Sequence, residues 1–270
     1  MKDITTIQYS ALDKLEILWY IFHPRKEEHG AETTPEMREI RIPVEPDVVV
    51  GSRVYPADPA APTLIFFHGN GEIVADYHEL GMLFTRLALN FWAVDYRGYG
   101  RSTGVPTCTA MMRDCHVIFQ FVQEWLAQQQ HSGPVIVMGR SLGSASAIEL
   151  ATSYPEAIDA VIIESGFAYN LPLLRTLGVN VDAFDITEEE GFQNLEQIKH
   201  IQQPTLIIHA ERDHIIPFSE GRELYDACPA TEKTLLKIAN ASHNNILLYG
   251  MSEYISGIKR LADHVLCSQA

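Results

Sequence analysis

Short apolar runs alternate along the chain with longer segments in which apolar residues recur every three or four positions. Several of the runs are rich in Ile, Val and Leu and nearly continuous in apolarity, which is typical of strands buried on both faces. The runs predict strands at residues 15–22, 39–44, 48–55, 63–67, 91–95, 135–138, 160–163, 205–209 and 234–238. The segments between them predict helices at residues 76–87, 109–129, 142–153, 220–225 and 251–265.

The order of these elements predicts an α/β fold. Three strands in succession are followed by alternating strands and helices, which favours a mostly parallel central sheet of about eight strands with helices on both faces. The first strands are expected to be antiparallel.

One long connection interrupts the alternation. Residues 167–200 lie between two predicted strands, although such connections usually have about 2–6 residues. A small cap over a substrate pocket is one interpretation, and a helical excursion on the surface is the other; the position relative to the motifs below favours the cap. No repeat or Pro/Gly-rich linker divides the sequence, so we predict one domain over residues 1–270 with a cap insertion at about 167–200.

Composition narrows the possible partners. The 270 residues are 46% hydrophobic, and 20 Lys and Arg against 35 Asp and Glu give a net charge of −15. Such acidity disfavours nucleic acid and a polybasic membrane anchor. The four cysteines lack C-x-x-C spacing, and no signal peptide or membrane-spanning run is evident, which predicts a cytoplasmic protein with reduced thiols. No Gly-rich phosphate loop or metal-ligand cluster suggests a cofactor or a metal.

The motif G-x-S-x-G follows the predicted strand at 135–138 and precedes a predicted helix, as Gly139-Arg140-Ser141-Leu142-Gly143. In a strand–turn–helix context, the serine at the tip of the turn exposes its hydroxyl, and the glycines permit close approach of strand and helix. The helix N-terminus adds partial positive charge where an oxyanion would form. Ser141 is therefore the candidate nucleophile, although the motif also occurs by chance.

A serine hydroxyl needs a base that a third group orients. If the chain order is serine, acid, histidine, the base is His243, in a polar loop before the last helix. The acid is then Asp213, thirty residues earlier, with Glu211 and Glu164 as competitors. Arg140 and Glu164 end neighbouring predicted strands, so we expect them to pair, which would leave Asp213 as the acid.

An oxyanion hole requires two backbone amides. The residue after the nucleophile, Leu142, supplies one. The other is expected from the loop His68-Gly69-Asn70-Gly71, which follows the predicted strand at 63–67, with Asn70 as the donor. A glycine turn that merely begins a helix is the alternative reading of this loop.

Together these motifs resemble those of the α/β-hydrolase superfamily, from about residue 15 to residue 265. The shared sequences are HGNG at 68–71, DYRGYG at 95–100, GRSLG at 139–143, ERD at 211–213 and SHN at 242–244. The chain most resembles the small-cap group that includes the α/β-hydrolase-domain protein depalmitoylases, and it is also similar to the catalytic domains of prolyl-oligopeptidase-type peptidases. The resemblance implies Ser141 as nucleophile, Asp213 as acid, His243 as base, and the Asn70 and Leu142 amides as oxyanion donors.

The function expected from these residues is hydrolysis of a carboxylic ester or thioester, of a small molecule or an acylated substrate, through an acyl-enzyme. Amide or peptide hydrolysis is the alternative, and a non-catalytic binding protein is another, although such proteins usually lose a triad member. The related depalmitoylases carry a cysteine-rich lipidated tail, whereas residues 1–11 contain no cysteine, so no stable membrane anchor is expected. If residues 167–200 form a cap, four apolar residues are expected to wall the acyl pocket: Phe167, Leu171, Leu174 and Phe184.

Overall fold

The computed structural model describes residues 2–28, 34 and 36–268, and its centre is one sheet of eight strands. The strands are β1 (Arg38–Glu45), β2 (Val48–Tyr55), β3 (Thr63–Phe67), β4 (Asn90–Val94), β5 (Val135–Arg140), β6 (Ala160–Glu164), β7 (Thr205–Ala210) and β8 (Lys233–Ile238). Their spatial order is β1-β2-β4-β3-β5-β6-β7-β8.

Helices cover both faces of the sheet. They are α1 (Leu15–Ile21), α2 (His78–Arg86), α3 (Cys108–Gln128), α4 (Gly143–Ser153), α5 (Asn170–Leu177), α6 (Asn194–Ile198), α7 (Phe218–Ala227) and α8 (Ile246–Ser268). Short 3-10 helices add single turns at Ile4–Thr6, Val74–Tyr77 and Glu188–Glu190. Two clusters of buried apolar side chains fill the space between the sheet and these helices.

The sheet is antiparallel at its beginning and parallel in the rest, as predicted. β1 pairs with β2 and β2 with β4 in antiparallel fashion, whereas β4, β3, β5, β6, β7 and β8 run parallel. Every residue of β3, β4, β6 and β7 is buried, as expected for strands covered on both faces. The exposed strand positions lie on the two edge strands, β1 and β8. The predicted fold class is confirmed.

One predicted strand is wrong. Residues 15–22 form the helix α1 and add no strand to the sheet. Its inner face is buried, at Ile17, Leu18 and Ile21. Its outer face also carries apolar side chains, because Leu15 and Trp19 are 68% and 77% exposed. With apolar residues on both faces, the sequence loses the helical period and looks like a buried strand.

The parallel strands bring four loops to one edge of the sheet. The register aligns Phe67 at the end of β3 with Gly139, and Arg140 at the end of β5 with Glu164. The loops that follow β3, β5, β7 and β8 therefore leave the sheet on the same side. Carboxyl ends of parallel strands are the usual place for a ligand site in such sheets.

Candidate active site

The turn between β5 and α4 holds Ser141 in a strained backbone conformation. Its φ is +51°, in the left-handed region that residues other than glycine rarely adopt, and its amide donates to the Glu164 carbonyl at 2.8 Å. A Cβ at Gly139 would lie 2.1 Å from the carbonyl oxygen of Gly143. A Cβ at Gly143 would lie 2.2 Å from the carbonyl oxygen of Phe67. Both glycines of the motif are thus required by close backbone approach.

Ser141, His243 and Asp213 form a continuous hydrogen-bonded chain. The Ser141 hydroxyl lies 3.0 Å from Nε2 of His243, and Nδ1 of His243 lies 2.7 Å from Oδ2 of Asp213. The ionised carboxylate accepts a hydrogen bond from Nδ1–H, so the lone pair of Nε2 faces the serine hydroxyl. The structure thus brings together the three side chains that the sequence singled out, across 102 residues of chain between the serine and the histidine.

The Asp213 carboxylate is fixed by its own loop. Its second oxygen, Oδ1, accepts from the amides of Ile215 and Ile216 at 3.0 and 2.9 Å. Burial would raise the pKa of Asp213, but the hydrogen bond and charge of His243 and the two amides outweigh burial, so the pKa lies below its ordinary value. Asp213 stays ionised beside the imidazole.

The competing acids face elsewhere. Glu211 accepts from Lys237 Nζ and from the Asn240 amide, both at 2.9 Å. Glu164 accepts from Arg140 Nε at 3.1 Å and from the Tyr254 hydroxyl at 2.8 Å. The predicted pair of Arg140 and Glu164 is confirmed, and neither glutamate is hydrogen-bonded to the His243 ring.

Arg140 connects three of the loops around the site. Besides Glu164, its guanidinium binds the Glu72 carboxylate and donates to the His243 carbonyl oxygen at 2.8 Å. Glu72 in turn accepts from the Gly69 amide at 2.7 Å, in the loop after β3. Burial raises the pKa of Glu164, and the charge of Arg140 offsets part of that rise. One buried cation thus holds the nucleophile turn, the histidine loop and the loop after β3 together.

The two amides predicted for an oxyanion hole both belong to residues that line the same cavity as Ser141 and His243. Neither the Asn70 nor the Leu142 N–H donates to another group within residues 2–28 and 36–268. The Asn70 side-chain oxygen Oδ1 accepts two hydrogen bonds, from the Tyr99 hydroxyl at 2.6 Å and from the His23 backbone amide at 2.8 Å. Unpaired N–H groups beside a serine are what an oxyanion needs.

The cavity above Ser141 has a volume of about 240 Å³ and a largely apolar wall. Its apolar lining residues are Leu12, Ile21, Leu142, Leu173, Leu174, Leu177, Phe192 and Ile215. Its polar lining comes from Ser141 and His243 and from the residues His23, Asn70, Arg140, Asn170 and Asn244. No Asp or Glu side chain lines it among the described residues.

The predicted wall is only partly correct. Of the four residues expected above Ser141, Leu174 alone lines the cavity. Phe167 is buried in the core with its ring 5.9 Å from that of Phe192, Leu171 packs against the core, and Phe184 lies beside Lys14. The N-terminal contributions of Leu12, Ile21 and His23 were missed. The local pattern carries no signal for them. It predicts a strand at 15–22, which contains Ile21, and it marks neither Leu12 nor His23 as part of a site.

The described residues contain neither a metal-binding cluster nor a membrane-spanning helix. Their His, Cys, Asp and Glu side chains include no group of three or more arranged to hold a metal ion. None of the helices within residues 2–28 and 36–268 combines the length and the apolarity needed to cross a membrane.

The sheet order, the strained turn and the loops that meet above it define an α/β-hydrolase. A family model described as "Serine aminopeptidase, S33" matches residues 58–181 and 189–247. The chain belongs to this family of the α/β-hydrolase superfamily, and it is a hydrolase.

Curated relatives agree with this assignment. The chain is 34% identical over 216 residues to alpha/beta hydrolase domain-containing protein 17B of Homo sapiens, covering 76% of this chain and 67% of that protein. It is 32% identical over 212 residues to protein 17C of Xenopus laevis, covering 76% of this chain and 62% of that one. The chain thus spans about two thirds of the length of these relatives.

Solved structures share the fold at low identity. An esterase of Pyrococcus furiosus superposes with a TM-score of 0.72 at 18% identity, over 90% of this chain and 99% of that one. A monoacylglycerol lipase of Paleococcus ferrophilus gives a TM-score of 0.63, also at 18% identity, over 81% of this chain and 99% of that one.

Proposed function

We propose that the protein is a serine hydrolase that cleaves carboxylic esters or thioesters through an acyl-enzyme. The observation that carries this proposal is the chain of short contacts from Ser141 Oγ to His243 Nε2, 3.0 Å, and from His243 Nδ1 to Asp213, 2.7 Å. The unpaired amides of Asn70 and Leu142 at the same cavity support it, because they are suited to an oxyanion.

The proposed reaction has two symmetrical halves. Ser141 Oγ attacks the substrate carbonyl while its proton passes to His243 Nε2, and the carbonyl oxygen takes the negative charge toward the two amides. The tetrahedral intermediate expels the alcohol or thiol, which receives the proton from His243, and leaves an acyl ester on Ser141. Water then attacks the acyl carbonyl while one of its protons passes to His243 Nε2. The second tetrahedral intermediate releases the carboxylic acid as this proton returns to Ser141 Oγ. Asp213 stabilises the imidazolium at both stages.

A second candidate is an aminopeptidase, because the description of the matching family names that activity. Recognition of a free α-ammonium group calls for a nearby carboxylate. The described cavity lining offers Arg140 and no acidic side chain, so it favours an uncharged acyl group over an ammonium. The ester or thioester therefore remains the preferred substrate.

We also propose a cap, a class of partner and a cellular location. Residues 167–200 act as a cap, since Leu173, Leu174, Leu177 and Phe192 of this stretch line the cavity. The partner is a small-molecule or acylated substrate, and neither a cofactor nor a nucleic acid takes part. The cytoplasm is the proposed location, because the four cysteines are free thiols, as a reducing compartment would keep them.

The test is turnover of p-nitrophenyl esters from acetate to palmitate, of an acyl-thioester and of an aminoacyl p-nitroanilide. We expect the wild type to cleave esters, and Ser141→Ala to lower kcat by about 10⁴-fold or more. Ser146→Ala is the matched control, because Ser146 is a buried serine of α4 with no hydrogen-bond partner among the described residues, and it should keep its activity. Cleavage of the anilide alone would favour the aminopeptidase, and ester cleavage that survives Ser141→Ala would overturn the proposal.

A further inference from the structure

Residues 12–23, here called the N-terminal strap, lie outside the part of the chain that matches the family model, which begins at residue 58. Nevertheless Leu12, Ile21 and His23 line the cavity above Ser141. The strap consists of α1 and the residues on either side of it. A segment outside the family match therefore forms part of the candidate active site.

The strap and α5 together form an apolar wall. Leu12 is fully buried and Ile21 is 4% exposed, and both face the cavity across from Leu174 and its neighbours on α5. The two helices are in contact, since the Tyr20 ring lies 3.2 Å from where a Cβ at Gly178 would stand. The cavity of about 240 Å³ is smaller than the roughly 300–1,000 Å³ of most ligand pockets, so it suits a short or medium acyl chain better than a long one.

His23 attaches the strap to the loop that carries the proposed oxyanion donor. Because Asn70 Oδ1 already accepts from the Tyr99 hydroxyl and the His23 amide, the group that faces the His23 ring is the Asn70 NH₂. It donates to His23 Nδ1 at 2.9 Å. Nδ1 is therefore the unprotonated nitrogen, and the ring carries its proton on Nε2.

We propose that the N-terminal strap is the specificity element of the site: Leu12 and Ile21 receive the acyl chain, and His23 positions Asn70. This inference rests on the proposed ester or thioester hydrolysis. The preferred substrate class is then a medium-chain acyl ester or thioester, because the cavity that the strap helps to line is small and apolar. His23 is a positioning residue, since it acts through the loop that carries Asn70.

The wall is tested with two isoleucines of the same helix. Ile21→Ala removes a side chain that lines the cavity, and Ile17→Ala removes an equally buried one that packs against the core. On p-nitrophenyl esters, Ile21→Ala should lower the ratio of kcat/KM for octanoate to that for acetate about tenfold, and raise the ratio for palmitate to octanoate. Ile17→Ala should lower the thermal midpoint and leave both ratios unchanged.

If Ile21→Ala and Ile17→Ala gave the same kcat/KM ratios, the role of the strap would be overturned. Ester turnover by the wild type would still support the proposed function. No turnover of any ester by the wild type would overturn both. The two failures are therefore distinguishable within one panel.

The positioning role is tested with two substitutions of His23. In His23→Asn, the side-chain oxygen takes a position near that of Nδ1 and can accept a hydrogen bond from Asn70. In His23→Gln, the longer side chain carries its amide to a position near that of Nε2. We expect His23→Gln to lower kcat about tenfold on acetate and octanoate alike, with KM unchanged. The loss is smaller than the about 10²–10³-fold loss that removal of an oxyanion donor causes, because the Asn70 amide is displaced and not removed. His23→Asn should recover most of the rate. Equal rates in the two variants would show that the contact with Asn70 does not matter.

Discussion

The floor and the roof of the cavity are built in different ways. The floor consists of Ser141, His243, Asp213 and the Asn70 loop, and its positions follow from backbone geometry at the ends of parallel strands. The roof consists of α1, α5 and Phe192. Here α1 and α5 lie about 150 residues apart in the chain, and their side chains meet around the cavity. Under the proposed function the floor carries the chemistry and the roof selects the acyl group, so substitutions in the two regions should have separable effects.

After the loss of Ser141 itself, the largest effect is expected at the acid of the floor. Asp213→Asn should lower kcat by on the order of 10³–10⁴ and change KM little, because the orienting acid fixes the histidine tautomer and stabilises the imidazolium. The measurement is steady-state kinetics on one ester at one pH.

The two acids that face elsewhere are the controls for this experiment. Glu211→Gln should leave kcat near wild type, since Glu211 binds Lys237 and the Asn240 amide. Glu164→Gln should lower the thermal midpoint and keep most of the activity. If Glu164→Gln were nearly inactive and Asp213→Asn active, the orienting acid would be Glu164 at the end of β6.

The second effect is on the stability of the floor. Arg140→Met leaves the buried Glu164 carboxylate without its cation and removes the donor to the His243 carbonyl. Breaking a buried pair in this way costs about 3–5 kcal/mol. Urea unfolding at pH 7 should show this loss, and the double variant with Glu164→Gln should recover part of it. A loss below about 1 kcal/mol would mean that Arg140 does not hold the loops together.

The third effect depends on pH and concerns the attachment of the N-terminus to α4. Burial would raise the pKa of Glu149, but the hydrogen bonds from His116 and Lys2 outweigh it and lower the pKa from 4.5 to about 2. Because the folded pKa is the lower one, this stabilisation is present above pH 4.5 and is lost as pH falls toward 2. It amounts to at most about 3 kcal/mol.

Unfolding free energies measured across that range should fall less steeply for Glu149→Gln than for the wild type. The variant should also be less stable at pH 7, where the charged contact is lost. Parallel curves for the two proteins would contradict the assigned role of Glu149.

The smallest effect is expected in the roof. Leu174→Ala should raise KM for medium-chain esters about tenfold and leave kcat for acetate unchanged, because it removes contact with the acyl chain only. Leu171→Ala is the control, since Leu171 packs against the core and does not line the cavity. If both variants change all esters equally, α5 stabilises the fold without selecting the substrate.

The sequence predicted the floor well because its signals are local. The motif around Ser141 requires glycines for close backbone approach, and the chain order then points to the loops of Asp213 and His243. The roof could not be predicted in the same way. The outer face of α1 exposes Leu15 and Trp19, so its apolar pattern looks like that of a strand.

The orientation of the aromatic residues in the stretch 167–200 could not be predicted from the sequence either. Phe167 and Phe192 lie in one stretch, yet Phe167 turns into the core and Phe192 lines the cavity. Which way each ring faces depends on packing against elements far away in the chain, and no local period records it.

The central claim is that Ser141 is the nucleophile of the floor, and covalent capture tests it most directly. The wild-type protein is treated with a fluorophosphonate, digested, and the modified peptide is sequenced by mass spectrometry. We expect a single adduct on Ser141, formed much more slowly in Asp213→Asn and absent from Ser141→Ala, because only a serine activated by a base reacts quickly. An adduct on another residue, or labelling that persists in Ser141→Ala, would contradict it.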